Sequence, residues 1–207
     1  MQINTKKTNI MLFSRSRSRD FQPELFINNE LLDVVDTTKL LGVMISSNLK
    51  WDAHIEYIRS KAMKRMWMLR RIKEVGGTPD DQVLVYILQI RSLTEKECQL
   101  WNGGLTKKCS DILERIQKAA FKIILGQNYN SYSKALQSLN LKTLKDRRHQ
   151  LCQSFGRKQT RSSKFKVWFK KSARPARGNS KINLPQTRTT IYKKSPLVYL
   201  TNLINAH

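Results

Sequence analysis

The chain has 207 residues, 40% of them hydrophobic, which is enough to bury a core and excludes a chain disordered throughout. Its 39 Lys and Arg against 15 Asp and Glu give a formal charge of +24, more than solubility requires and pointing to a polyanionic partner. No apolar run reaches the ~18 residues of a membrane-spanning helix, and the three cysteines make neither a disulfide framework nor a C-x-x-C zinc pair.

The first 50 residues read as short strands. Ile10 to Phe13 is an apolar run, too short for the core of a secretory leader. Ser14 to Arg19 alternates Ser and Arg and is expected to be an exposed loop. Leu25 to Ile27 and Leu31 to Val35 flank Asn28-Asn29-Glu30, a hairpin signal, and Leu40 to Ile45 contains Gly42. From Trp51 the period changes: Ile55, Ile58, Ala62, Met66, Leu69 and Ile72 share one face of a long helix that Gly76-Gly77 stops. Thr78-Pro79-Asp80-Asp81 then supplies an N-cap, a first-turn proline and two carboxylates facing the helix dipole. That second helix carries Val83, Tyr86, Ile87 and Ile90 inward. After Asn102-Gly103-Gly104 a third helix has the stripe Ile112, Leu113, Ile116, Ala119, Ala120, Ile123, Ile124, with Gly126 as its cap. Shorter helices are predicted over Ser131 to Leu139 and Thr143 to Phe155, the latter with Thr143 and Asp146 as a variant capping box.

The last acid is Asp146, and residues 147–207 hold 15 Lys and Arg. Three prolines and uncompensated charge predict a disordered linker from Ser172 to Ser195, with a docking helix over Leu197 to Ile204. The expected class is α+β, predominantly α-helical. Its expected parts are a β-rich segment over 1–50, a helical region over 51–157 and a basic, largely disordered tail over 158–207.

Several stretches, in order, resemble the region downstream of the active site in non-LTR (LINE, jockey-like) retrotransposon reverse transcriptases. Asn4-Thr5-Lys6-Lys7-Thr8 leading into Asn9 to Phe13 is similar to motif D. Lys39-Leu40-Leu41-Gly42-Val43 is similar to motif E, the primer grip. Leu49-Lys50-Trp51-Asp52, Leu113-Glu114-Arg115-Ile116, Ile123-Ile124-Leu125-Gly126, Arg147-Arg148 and Lys194-Ser195-Pro196-Leu197 resemble the thumb and C-terminal segment.

The resemblance implies an end-of-palm β segment, a thumb-like helical bundle and a chain that grips primer-template nucleic acid. It implies a motif-D-like role for Asn4, Lys7 and Thr8, Lys7 approaching the incoming triphosphate, and a primer-grip role for Leu40, Leu41, Gly42 and Val43. Read from the residues alone, Lys7 is a solvated lysine, and Gly42 is either a hairpin turn or a bulge glycine in a buried strand. The family's motif A aspartate and Tyr-x-Asp-Asp box do not occur in this sequence. No catalytic residue, resident metal or cofactor is therefore expected here, Mg²⁺ being expected only for a full-length polymerase, and no polymerisation by this chain alone.

Arg59, Lys61, Lys64, Arg65, Arg70 and Arg71, with Lys73, lie off the apolar stripe of the first helix, where only Glu56 and Glu74 offset them. They are the candidate phosphate contacts. Lys164, Lys166, Lys170 and Lys171 interleave with Phe165, Trp168 and Phe169, making Trp168 the candidate for base stacking. Trp51 and Trp101 read as core. The expected partner is RNA or DNA, duplex or single-stranded and held through its backbone, with no membrane and no small-molecule substrate. The expected location is nuclear or cytoplasmic, not secreted. Composition fits equally a non-enzymatic basic nucleic-acid-binding protein or a retroelement relic, and the ordered motif series favours the polymerase relative.

Overall fold

The computed structural model describes residues 3–14, 24–170 and 182–206. Helix makes up 62% of it and strand 9%, so the protein is α+β and predominantly α-helical. Two compact units divide between Tyr57 and Ile58, inside the first long helix rather than at the expected boundary near residue 50. Among the described residues no helix is long and apolar enough to cross a membrane.

Unit 1, Met1–Tyr57, is built of three two-stranded pairs. Strand β1 (Asn9–Ile10) pairs in parallel with β4 (Asp33–Val34). Strands β2 (Phe26–Ile27) and β3 (Glu30–Leu31) form a hairpin whose turn, Asn28-Asn29, has φ of 52° and 62°. Both central residues are left-handed, as a tight hairpin turn demands, and Asn tolerates that region better than most side chains. The strand expected over Leu31 to Val35 is divided by Leu32, whose side chain is buried. Strands β5 (Thr37–Leu40) and β6 (Val43–Ser46) pair antiparallel with Leu40 opposite Val43. That resolves the Gly42 alternatives: Leu41-Gly42, at φ 49° and 90°, is a two-residue turn and not a bulge.

The apolar core of unit 1 is small. Leu32, Val43 and Ile55 are buried, while Leu25, Phe26, Leu31, Val34, Leu40 and Leu41 are exposed.

Helix α1 (Asp52–Glu74) carries the predicted stripe: Ile55, Ile58, Ala62, Met66 and Leu69 are buried, and Ile72 is half-buried. In unit 2, α2 (Pro79–Val85) opens with the full capping box. Thr78 Oγ1 accepts from Asp81 N–H at 3.2 Å, and Asp81 Oδ2 accepts from Thr78 N–H at 2.9 Å. The helix then widens into a π-helical segment, Tyr86–Arg91, before α3 (Ser92–Glu95). Periodicity did not announce that widening, because one turn of i+5 bonding barely shifts the apolar spacing. Short α4 (Cys98–Trp101) leads to α5 (Lys107–Leu125), capped by Thr106 at one end and Gly126 at the other. Then follow α6 (Tyr132–Ser138) and α7 (Leu144–Arg161), the latter longer than predicted.

Two side chains of α5 cap α7 from outside it. Gln117 Oε1 accepts from Leu144 N–H at 3.1 Å, and Glu114 Oε1 accepts from Lys145 N–H at 2.8 Å. These amides belong to the first turn, which has no partners inside the helix. Tyr132 Oη lies 2.5 Å from both Glu114 Oε2 and Gln117 Oε1, fixing α6 to the same pair.

Of the expected disordered linker, residues 172–181 lie outside the described residues. In its described part Ile182 is buried and exchanges two hydrogen bonds of 2.9 Å with the Asn205 side chain, and α8 (Thr190–Lys193) is a single turn. Helix α9 (Pro196–Asn205) begins where the docking helix was predicted, with Val198, Leu200, Thr201 and Leu203 buried. It approaches the unit at two glycines: a Cβ on Gly103 would lie 2.6 Å from Tyr199, and one on Gly156 would lie 3.1 Å from Ile204.

Candidate nucleic-acid interface

On α1 the apolar stripe faces inward and leaves Arg59, Lys61, Lys64, Arg70 and Arg71 exposed. Lys64, Trp67 and Arg71 follow at intervals of three and four residues and share one face. Trp67 is 57% exposed there, a large aromatic surface in a basic setting. The signal in the sequence was its place off the stripe, between two cations.

Two members of the predicted set are differently engaged. Arg65 is half-buried, its Nη1 donating to Gln89 O at 2.7 Å and to Gln89 Oε1 at 3.3 Å, so it is a packing contact rather than an outward cation. Arg71 pairs with Glu74 at 3.1 Å, but both side chains are more than half exposed, and such pairs open at little cost. Lys73 turns to Ile123 O, 3.3 Å away, near the C-terminus of α5.

In unit 1, Asn4 O accepts from Lys7 N–H at 3.1 Å and from the Thr8 hydroxyl at 2.9 Å, closing a turn ahead of β1. Lys7 is exposed on that turn. The β5–β6 hairpin presents Leu40 at 58% and Leu41 at 88% exposure, while Val43 is buried. A left-handed leucine with almost no packing is costly, and its place at a hairpin tip marks the turn as a candidate contact. The hairpin is tied to the start of α1 by His54, whose Nδ1 accepts from Met44 N–H at 3.2 Å. Burial pushes the His54 imidazole down to about 4. Lys39 Nζ stands 5.2 Å from the Tyr57 ring centre.

In the tail segment Lys164, Lys166 and Lys170 are exposed, Trp168 is 59% exposed and Phe169 is buried. The Trp168 ring meets Phe165 edge-on at 5.1 Å, leaving a face for stacking. Lys171 lies outside the described residues.

Sequence reasoning missed a polar cluster inside unit 2. Arg147 donates to both oxygens of Glu95, at 3.0 and 3.1 Å. Arg148 is fully buried, donating through Nε to Asn102 Oδ1 at 3.1 Å, and its Nη2 lies 3.9 Å from Glu114. Beside it Cys98 and Cys152 bring their sulfurs to 3.9 Å. The hydrogen bond from Cys152, with Arg148 nearby, lowers the Cys98 thiol, while that shared bond and burial raise Cys152. Nothing in the spacing of 98 and 152 indicates that contact.

Among the described residues no three His, Cys, Asp or Glu side chains gather as metal ligands. Asp80-Asp81 does not suit a metal pair, because the Asp81 carboxylate is engaged by the Thr78 amide and hydroxyl. In comparison with known proteins, no family model, curated protein or solved structure matches this chain.

Proposed function

We propose that this chain is the end-of-palm and thumb portion of a non-LTR retrotransposon reverse transcriptase and grips the backbone of primer-template nucleic acid. The observation that carries the gripping role is the outer face of α1. Five exposed cations surround Trp67, and Glu56 and Glu74 are the only carboxylates in the helix beyond its first turn. An ordinary solvated helix interleaves both signs.

The assignment to that polymerase class rests on the ordered motif series, and two features of unit 1 support it. The Lys39 to Val43 motif is a hairpin with Leu41-Gly42 at its tip, the form a primer grip requires. The exposed Leu25, Phe26, Leu31 and Val34 fit a β segment covered by further palm structure. In this reading the chain supplies positioning and no metal-dependent chemistry. Its location is where such a polymerase works, in the nucleus or cytoplasm.

The test is binding of a recessed-end RNA·DNA duplex across a range of salt, for the wild type and for a variant with Arg59, Lys64, Arg70 and Arg71 all changed to Gln. Each phosphate contact contributes about −0.9 to the slope of log K against log salt on duplex DNA, so the variant should lose close to that amount per contact. An unchanged slope in the folded variant would remove the thumb-like role and favour a basic binder driven by its tail.

A further inference from the structure

Helix α7 treats its cations in two ways. In its N-terminal half Arg147 and Arg148 meet Glu95 and Glu114. In its C-terminal half Arg157, Lys158 and Arg161 are exposed and form no ion pair among the described residues. No intramolecular counter-charge follows in the sequence either, since the last carboxylate, Asp146, is in the helix's first turn.

These three cations line one cavity of about 390 Å³ together with Gln150, Gln153 and Ser154. The six positions recur at three- and four-residue steps and so occupy one helical face, turned away from the Cys152 and Gly156 side against which α9 packs. Every lining side chain is a hydrogen-bond donor, and none is apolar or acidic. The second observation is Gln153. Its Nε2 is buried and has no hydrogen-bond partner, although a buried amide donor is normally satisfied.

We propose that this cavity is a binding site for a phosphate group of a nucleic-acid strand. Arg157, Lys158 and Arg161 neutralise the phosphate and the Gln153 amide donates to one of its oxygens. Gln150 and Ser154 can donate to or accept from the adjoining sugar hydroxyl. The volume falls within the range of small-ligand sites and admits a sugar-phosphate unit. An all-donor lining suits an anion, and the lack of any apolar wall disfavours a lipid. The site is separate from the α1 face and stands whether or not the polymerase reading does.

The test uses the full chain and a labelled single-stranded oligonucleotide at fixed ionic strength. Gln153→Leu alters no charge and should weaken binding about tenfold, as the loss of one hydrogen bond to a charged group does, with the salt slope unmoved. Arg157→Gln with Arg161→Gln should weaken it further and lower the slope. Lys107→Gln with Lys108→Gln, removing two exposed charges from α5, should have a smaller effect. Without nucleic acid the Gln153→Leu protein should be at least as stable as the wild type, having lost an unsatisfied donor. Unaltered affinity of Gln153→Leu, a less stable Gln153→Leu protein, or equal losses from the two charge pairs would overturn the proposal. Stabilisation by inorganic phosphate alone, with oligonucleotide binding indifferent to Gln153→Leu, would assign the cavity to a free anion and overturn it as well.

Discussion

Arg65 Nη1 lies 2.7 Å from the main-chain oxygen of Gln89, joining α1 to the π-helical segment Tyr86–Arg91. Where a helix widens to i+5 bonding, carbonyls lose their usual partners, and the guanidinium supplies one. Arg65→Gln should therefore lower the stability of unit 2 by about 1 to 3 kcal/mol, the range for a hydrogen bond to a charged group and the carbonyl it leaves unsatisfied. The salt slope of nucleic-acid binding should not move. Guanidinium denaturation and salt titration of the same variant check both halves, and a reduced slope at full stability would return Arg65 to the set of phosphate contacts.

Gly103 and Gly156 both let α9 approach, but with different neighbours. A methyl group on Gly103 meets Tyr199 Cβ and Cγ at 2.6 Å, atoms held close to the backbone, whereas one on Gly156 meets the flexible tip of Ile204 at 3.1 Å. Gly103→Ala should cost about 1 to 3 kcal/mol, as overpacking typically does, and Gly156→Ala less. Thermal melts of the two variants give the order, and the reverse order would contradict the packing described for α9.

His54 sets a pH dependence on unit 1. Burial holds its folded-state pKa at about 4, below the ordinary value of 6.5, so between those values the unfolded chain binds more protons than the folded one. Stability should be full above pH 6.5, fall as pH drops from 6.5 towards 4, and receive no further loss from this group below that. In His54→Gln that component should vanish. Denaturant midpoints measured at successive pH values compare the two proteins, and parallel curves would show that His54 does not carry the effect.

Cys98 and Cys152 are close enough for a modest side-chain rotation to bring their sulfurs to bonding distance. Diamide, which takes two electrons and two protons from a pair of thiols, should join them into a disulfide linking α4 to α7. Both are buried, so the reaction proceeds through local opening. Peptide mapping without reduction should recover the 98–152 pair, and a product containing Cys109 instead would count against the arrangement.

The sequence by itself determined the helices, their caps and the inward faces. The stripe from Ile55 to Leu69, the Thr78 to Asp81 capping box and the start of α9 at Pro196 depend on neighbours a few residues apart, and local spacing records such neighbours. It also determined that Lys64, Arg70 and Arg71 lie outside the core, because a face excluded from the apolar stripe must meet solvent. Only the tertiary structure decided which cations are free to bind. Arg65, Arg147 and Arg148 look like their neighbours in the sequence, yet Gln89, Glu95, Asn102 and Glu114 engage them from 24 to 52 residues away. The same holds for the Cys98–Cys152 contact and for the donors assembled along α7. A side chain's partner is set by how helices pack against one another, and that packing has no period in the chain.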